Sequence, residues 1–470
     1  FVDQFLRALP YELTDAQERV IEEIRADLAE PHPMHRLLQG EVGSGKTVVA
    51  LATLLVAVQG GYQGAIMAPT EVLAEQHYLS TVDALESAGL APEGGPDASG
   101  TGSLFAREAA PDVRVAILTA NRAITNFGGN ADRSAVTGWI ADGVVDIVIG
   151  THALIQEGVH FGRLGIAVVD EQHRFGVHQR VMLRDKAADH DPDLLIMTAT
   201  PIPRTLSMTL YGDLDVSILD ELPPGRQPVA TRHVPKDPES LAAVHDLVRS
   251  EVAAGRQAFV VCPLVEDSTK MEAKSASAEY ERLKSVYPAL RLGLLHGQMR
   301  PSEKDEVMHR FRAGDLDILV ATTVIEVGID VANATVMVIE DADRFGLSQL
   351  HQLRGRVGRG ADAATCLLVA EPKTSDGEER IAAMVATNDG FRLAEEDMRI
   401  RGQGTVFGAR QSGMTDLRLA DLLRDVDSLI AARREAFGLV KSDPGLVNHP
   451  ELAEEVHALL GEDAEWLERS

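Results

Sequence analysis

Eleven short apolar runs, most of them separated by stretches of helical periodicity, constrain this 470-residue chain more than any other feature. Six come first: Arg36–Gln39, Ala65–Ala68, Val115–Leu118, Asp146–Gly150, Ile166–Val169 and Leu194–Thr198. Five follow: Ala258–Cys262, Leu292–His296, Asp317–Ala321, Val336–Glu340 and Cys366–Ala370. Runs this apolar are buried on both faces, and helices between them make the strands parallel. The chain therefore reads as α/β, with two tandem doubly wound parallel-sheet domains. The joint is Leu222-Pro-Pro-Gly-Arg226, a turn-forming cluster near the middle.

Around these domains the sequence is less regular. Ala91–Gly102 is rich in Gly, Pro and Ser and reads as a surface loop. After Lys441 there are eight acidic residues against the single Arg469, with helical periodicity, so this tail reads as a solvated acidic helix. The expected division is 1–13 as the end of a linker from a preceding domain, 14–225 and 226–376 as the α/β domains, and 377–470 as a helical module. Cys262 and Cys366 stand alone in apolar runs, which suits buried thiols and excludes a disulfide framework or a zinc site. No apolar run has the length of a membrane span.

Charge argues against one class of partner. With 72 acidic against 45 basic residues the formal charge is −27, and a general electrostatic grip on nucleic acid needs clustered Lys and Arg. Any nucleic-acid contact has to be local.

The chemistry-bearing motifs supply that locality. Gly40-Glu-Val-Gly-Ser-Gly-Lys-Thr47 follows a predicted strand and precedes a helical run. Gly40, Gly43 and Gly45 let backbone N–H groups, with that of Ser44, approach phosphates at a helix N-terminus. Lys46 would neutralise the β- and γ-phosphates, and Thr47 would hold Mg²⁺. The next question is why the strand Ile166–Val169 ends in two adjacent carboxylates, Asp170 and Glu171. A phosphate loop needs a second acid for the metal shell, which suits Asp170. Glu171 would then orient and deprotonate the attacking water. The combination points to an NTPase using ATP and Mg²⁺. Thr198 and Thr200 end the next strand, where their hydroxyls would relay the state of these acids. Arg356 and Arg359, three apart and expected on one helix face, would reach across from the second domain to stabilise charge on the transferring phosphoryl group.

Taken together these stretches resemble a superfamily 2 helicase, and from Phe1 to about Ser412 the chain resembles the RecG family of ATP-dependent DNA translocases. The resemblance implies RecA-like folds for both α/β domains. It makes Gln17 in Glu12–Gln17 an adenine reader. It gives Thr70 in Ala68–His77, and Thr151 and His152 in Ile149–His152, contacts to a nucleic-acid backbone. His296 in His296–Met299, with Thr322 and Thr323 in Val320–Asp330, would do the same from the second domain. Gly328 and Asp330 would link that track to the nucleotide, and His173 would couple the acids to it.

Thr387–Gly413 resembles a translocation module. From the residues alone it is a helix ending at Asn388-Asp-Gly390, a second helix to Ile400, then a Gly-rich loop. By family match Arg380 and Arg401 would brace this hairpin, and Gln411 would engage the duplex. The implied partners are replication forks, Holliday junctions and other double-stranded DNA, with a single-strand-binding protein as a further one. The implied setting is a monomer in the bacterial cytoplasm. A transcription–repair coupling translocase and a nucleotide-gated DNA-binding switch without turnover are the competing readings. His173 and His296 lack partners at metal-ligand spacing.

Overall fold

A computed structural model describes residues 1–92, 112–154, 158–170, 186, 191–199, 214–223, 227–263, 269–326, 331–360, 362–401 and 425–460. Two short helices lead in, α1 (Val2–Ala8) and α2 (Asp15–Asp27). A reciprocal capping box starts α2: the Thr14 hydroxyl accepts from the Gln17 amide, and the Gln17 side chain accepts from the Thr14 amide.

The first sheet contains β1 (His35–Gly40), β2 (Gln63–Met67), β3 (Val115–Leu118), β4 (Ala123–Thr125), β5 (Gly129–Asn130), β6 (Ile147–Gly150), β7 (Leu164–Asp170), β8 (Asp193–Thr198) and β9 (Asp215–Leu219). Its order is β5-β4-β3-β6-β2-β7-β8-β1-β9, parallel except for the β3-β4-β5 meander. All of β7 is buried, as a strand covered on both faces must be. The helices α3 (Lys46–Gln59) and α4 (Glu71–Ser87) pack over the Leu38, Ile66 and Val168 face. The other face, with Leu37, Ala167 and Ile196, carries α5 (Arg133–Ala141).

The second sheet runs β10 (Ala230–Val234), β15 (Thr365–Val369), β14 (Ala334–Glu340), β11 (Gln257–Val261), β13 (Ile318–Ala321), β12 (Leu292–Leu295), entirely parallel. One face packs on α6 (Pro238–Ala253) and α7 (Thr269–Val286). The other packs on α8 (Pro301–Arg312) and α9 (Leu347–Arg354), and beyond them on α10 (Ser375–Ala386) and α11 (Gly390–Arg401). The last helices described are α12 (Val426–Ser442) and α13 (Pro450–Leu460).

Each of the eleven expected strands is present within a few residues of its predicted ends. Four strands were not expected: β4, β5, β9 and β10. Three of these lie at sheet edges and the fourth next to one. One expectation needs correcting. Arg356 and Arg359 do not share a helix face, because α9 stops at Arg354 and Gly358 takes the left-handed region at φ 73°. The arginines sit in the turn that follows.

Candidate active site

Parallel sheets place ligands beyond the C-terminal ends of their strands. Here β7, β8 and β1 are neighbours, so Asp170, Thr198 and Gly40 emerge side by side, with Gln39 in register with Thr198 and Asp170 with Met197. The chain turns back at Gly43 (φ 81°) and Gly45 (φ 86°), a conformation that costs little only for glycine. Gly45 is also the N-cap of α3 and offers that helix no side-chain cap, so an anion can approach its N-terminus. A Cβ at Gly45 would collide with the Gln17 amide, and one at Gly40 with the Ser44 hydroxyl. The Ser44 hydroxyl is buried with no hydrogen-bond partner. Lys46, also buried, donates its Nζ to the carbonyls of Gly40 (2.9 Å) and Glu41 (2.8 Å).

Gln17 has partners that its motif alone does not reveal. It is 1% exposed, its carbonyl oxygen holds the α2 cap, and its Nε2 donates to the Ser44 carbonyl at 2.9 Å. The amide thus braces the phosphate loop. Asp170 has an unexpected partner as well. His77 Nε2 lies 2.7 Å from its Oδ2, and both side chains are about nine-tenths buried. His77 falls in the stretch expected to hold a nucleic-acid backbone. Its periodicity with buried Ala74 and Thr81 on α4 is the signal that points it at the sheet instead.

The two domains meet over one cleft of about 650 Å³. Gly43, Lys46, Thr47 and Asp170 line it from the first sheet; Arg356, Arg359 and, unforeseen, Arg312 line it from the second domain. Arg359 is steadied by donating Nε to the Gly355 carbonyl at 3.0 Å. A Cβ on Gly355 would sit 3.0 Å from that of Val42, so glycine lets the arginine turn approach the phosphate loop closely. The donor set suits Mg·ATP: hard oxygens from Thr47 and Asp170, cations from both sides, and a helix N-terminus at the loop. Among the described residues, no group of three or more His, Cys, Asp or Glu forms a metal site of its own.

The expected DNA contacts fall at strand ends too. Thr70 and Thr151 follow the adjacent strands β2 and β6, and the Thr70 hydroxyl also caps α4 by accepting from Leu73 N. Thr151 lies just before His152, which opens a short 3₁₀ turn. His296 and Thr322 follow the adjacent β12 and β13, with Thr323 next. The Nδ1 of His296 and Oγ1 of Thr322 are buried with no hydrogen-bond partner. Burial and the Lys304 ammonium hold the His296 imidazole below its ordinary pKa. Arg380 donates to the Phe345 carbonyl at 2.9 Å, pinning α10 to the segment before α9. Glu171, His173, Thr200, Gly328, Asp330, Gln411 and the side chain of Arg401 lie outside the described residues.

Two parallel-sheet domains with a phosphate loop on one and arginines on the other define a helicase motor. Family models agree: residues 14–209 match the DEAD/DEAH box helicase and 239–361 the helicase conserved C-terminal domain. Residues 387–460 match domain 3, C-terminal, of the ATP-dependent DNA helicase RecG. RecG of Bacillus subtilis is 48% identical over 94% of this chain and 60% of its own length. RecG of Thermotoga maritima is 47% identical over 92% of this chain and 51% of its own. A solved structure of RecG bound to a three-way DNA junction superposes with a TM-score of 0.69 at 42% identity, covering 91% of this chain and 51% of that one. The chain belongs to the RecG family, and spans between half and two-thirds of the length of these relatives.

Proposed function

We propose that this chain is the motor of an ATP-driven translocase that remodels branched double-stranded DNA, reversing stalled replication forks and migrating Holliday junctions in repair and recombination. The observation that carries the proposal is the shared cleft: Lys46, Thr47 and Asp170 face Arg356 and Arg359 across it. The relative solved on a three-way junction supports the choice of branched DNA.

In this reading Lys46 leaves the Gly40 and Glu41 carbonyls to grip the β- and γ-phosphates. Thr47 and Asp170 hold Mg²⁺, and His77 fixes which way the Asp170 carboxylate points. Bound there, the divalent ion neutralises charge on the phosphate oxygens. Glu171 aligns and deprotonates water, and the two arginines stabilise the charge developing on the transferred group. Gln17 reads the adenine base and also braces the phosphate loop. Thr198, Thr200, His173, Gly328 and Asp330 pass the state of the site to the DNA track of Thr70, Thr151, His152, His296, Thr322 and Thr323.

Alternate closing and opening of the domains, taken as 14–225 and 226–376, then moves the module at 377–470 and Gln411 along the duplex, braced by Arg380 and Arg401. Hydroxyls, amides and few cations make the DNA contacts, so binding is weak and salt-sensitive for a chain of formal charge −27. Among the described residues no helix is long and apolar enough to cross a membrane. We take the setting to be the bacterial cytoplasm, the motor to be a monomer and a single-strand-binding protein to be a partner. The test is ATP turnover by the complete protein with forked, linear and single-stranded DNA. Fork DNA should stimulate most; equal rates with and without any DNA would refute the translocase.

A further inference from the structure

The turn joining α10 to α11 is gripped by both motor domains. Arg354, last residue of α9 and 3% exposed, donates to the carbonyls of Met384 (3.2 Å), Thr387 (2.8 Å) and Asn388 (3.1 Å). It thereby closes the C-terminal end of α10 from the second domain. The N-terminal end of α11 is completed from the first domain. Its opening amide, Gly390 N–H, donates to Glu41 Oε1 at 2.6 Å. The next two amides, of Phe391 and Arg392, donate to Asp389 Oδ1 at 2.9 and 3.2 Å. A helix of this module thus takes part of its N-terminal cap from a residue 349 positions earlier.

Glu41 is no ordinary cap, because it belongs to the phosphate loop. Its backbone carbonyl accepts from Lys46 Nζ at 2.8 Å and from Ser44 N at 3.1 Å. One residue therefore has its main chain on the lysine that grips phosphates and its side chain on the hairpin. Glu41, Asp220, Glu221, Asn388, Asp389 and Phe391 also line a cavity of about 370 Å³ beside the contact, which leaves the turn space to shift. The charge is well placed, since a carboxylate at a helix N-terminus is favoured by the backbone dipoles.

We propose that Glu41 is a positioning residue, a releasable tether between the phosphate loop and the first turn of α11. It couples the state of Lys46 to the seating of the hairpin. This deepens the translocase reading and rests on it. When Lys46 turns from the Glu41 carbonyl to a nucleotide, the loop shifts at Glu41, and the Gly390 contact tightens or breaks with it. Arg354 holds the turn to the second domain throughout, so the Glu41 contact is where domain movement becomes hairpin movement.

The test uses the complete protein on one forked DNA, with ATP hydrolysed and base pairs moved measured together. Gly390→Pro removes the donor at a helix position where proline is tolerated, and circular dichroism checks the fold. Its hydrolysis should stay near the wild-type rate while base pairs moved per ATP fall at least about fivefold. Glu41→Ala should lower the same ratio whatever it does to turnover, and Glu41→Gln, which keeps an acceptor oxygen, should restore it. An unchanged ratio in both Gly390→Pro and Glu41→Ala overturns the tether, as does hydrolysis lost in step with movement. Wild-type protein that hydrolyses ATP but moves no fork instead overturns the translocase reading, and the tether falls with it.

Discussion

One cluster of buried polar side chains in the first domain sits at the cleft, whereas the second domain sets a cluster of titratable ones on the face turned away. In the first domain Gln17, Ser44, Lys46 and the His77–Asp170 pair converge on the phosphate loop. In the second, Glu340 at the end of β14, Cys262 after β11, and Tyr287 and His245 at α7 and α6 lie on the face opposite α9. Two of its cleft residues, Arg356 and Arg359, are set on a turn, and the third, Arg312, is the last residue of α8. The difference suggests a division of labour. On the proposed function, one domain is preorganised to hold phosphates and the other brings charge to them as the cleft closes.

Separating affinity from turnover would break or sharpen that contrast most. Arg359→Ala should cost about 10³–10⁵ in the rate of ATP hydrolysis while nucleotide affinity changes little, because a finger acts mainly in the transition state. Lys46→Ala should lose both. Equal losses of affinity from both variants, measured by fluorescent-nucleotide titration, would put the two domains in the same role. Next in size is His77→Ala, which frees the Asp170 carboxylate to rotate. Loss of such an orienting partner typically costs about 10–100-fold in metal affinity or activity. The Mg²⁺ concentration for half-maximal turnover should rise, Mn²⁺ binding followed by electron paramagnetic resonance should weaken, and His77→Gln should recover part of both.

Smaller effects test the scaffold. Gly45→Ala forces a side chain into φ 86° and against Gln17, which should lower stability by about 1–2 kcal/mol in denaturant unfolding. Glu340 probes the far face. Burial, then the Glu279 carboxylate, push its pKa from 4.5 up to about 7. The folded state therefore retains a proton that the unfolded chain gives up. This contribution is fully present below about pH 4.5 and is lost as pH rises through 7. Glu340→Gln should flatten the fall in stability between pH 5 and 8 by about 1–3 kcal/mol. ATP turnover should be unaffected if the far face is separate from the cleft.

The same contrast explains what was legible in the sequence. Buried parallel strands announce themselves by apolar runs, so all the central strands could be read. Edge strands other than the apolar β12 could not: β10 carries exposed Arg232 and His233, and β9 opens with exposed Asp215. The phosphate loop and Asp170 were readable because their spacing is local. The partners of Gln17, Asp170 and Glu41 were not, since each contact joins segments far apart in the chain and no periodicity encodes it. The arginine pair lines the cleft, but from a turn and not from a helix face. Gly355 and Gly358 end the helix, and a pattern of three-residue spacing does not reveal that.

The most direct measurement is a structure of the protein with Mg²⁺ and a non-hydrolysable ATP analogue. Lys46 Nζ and at least one guanidinium of Arg356 or Arg359 should lie within about 3 Å of γ-phosphate oxygens, from opposite sides. Phosphates held by the first domain alone, with both guanidinium groups beyond about 6 Å, would contradict the shared cleft.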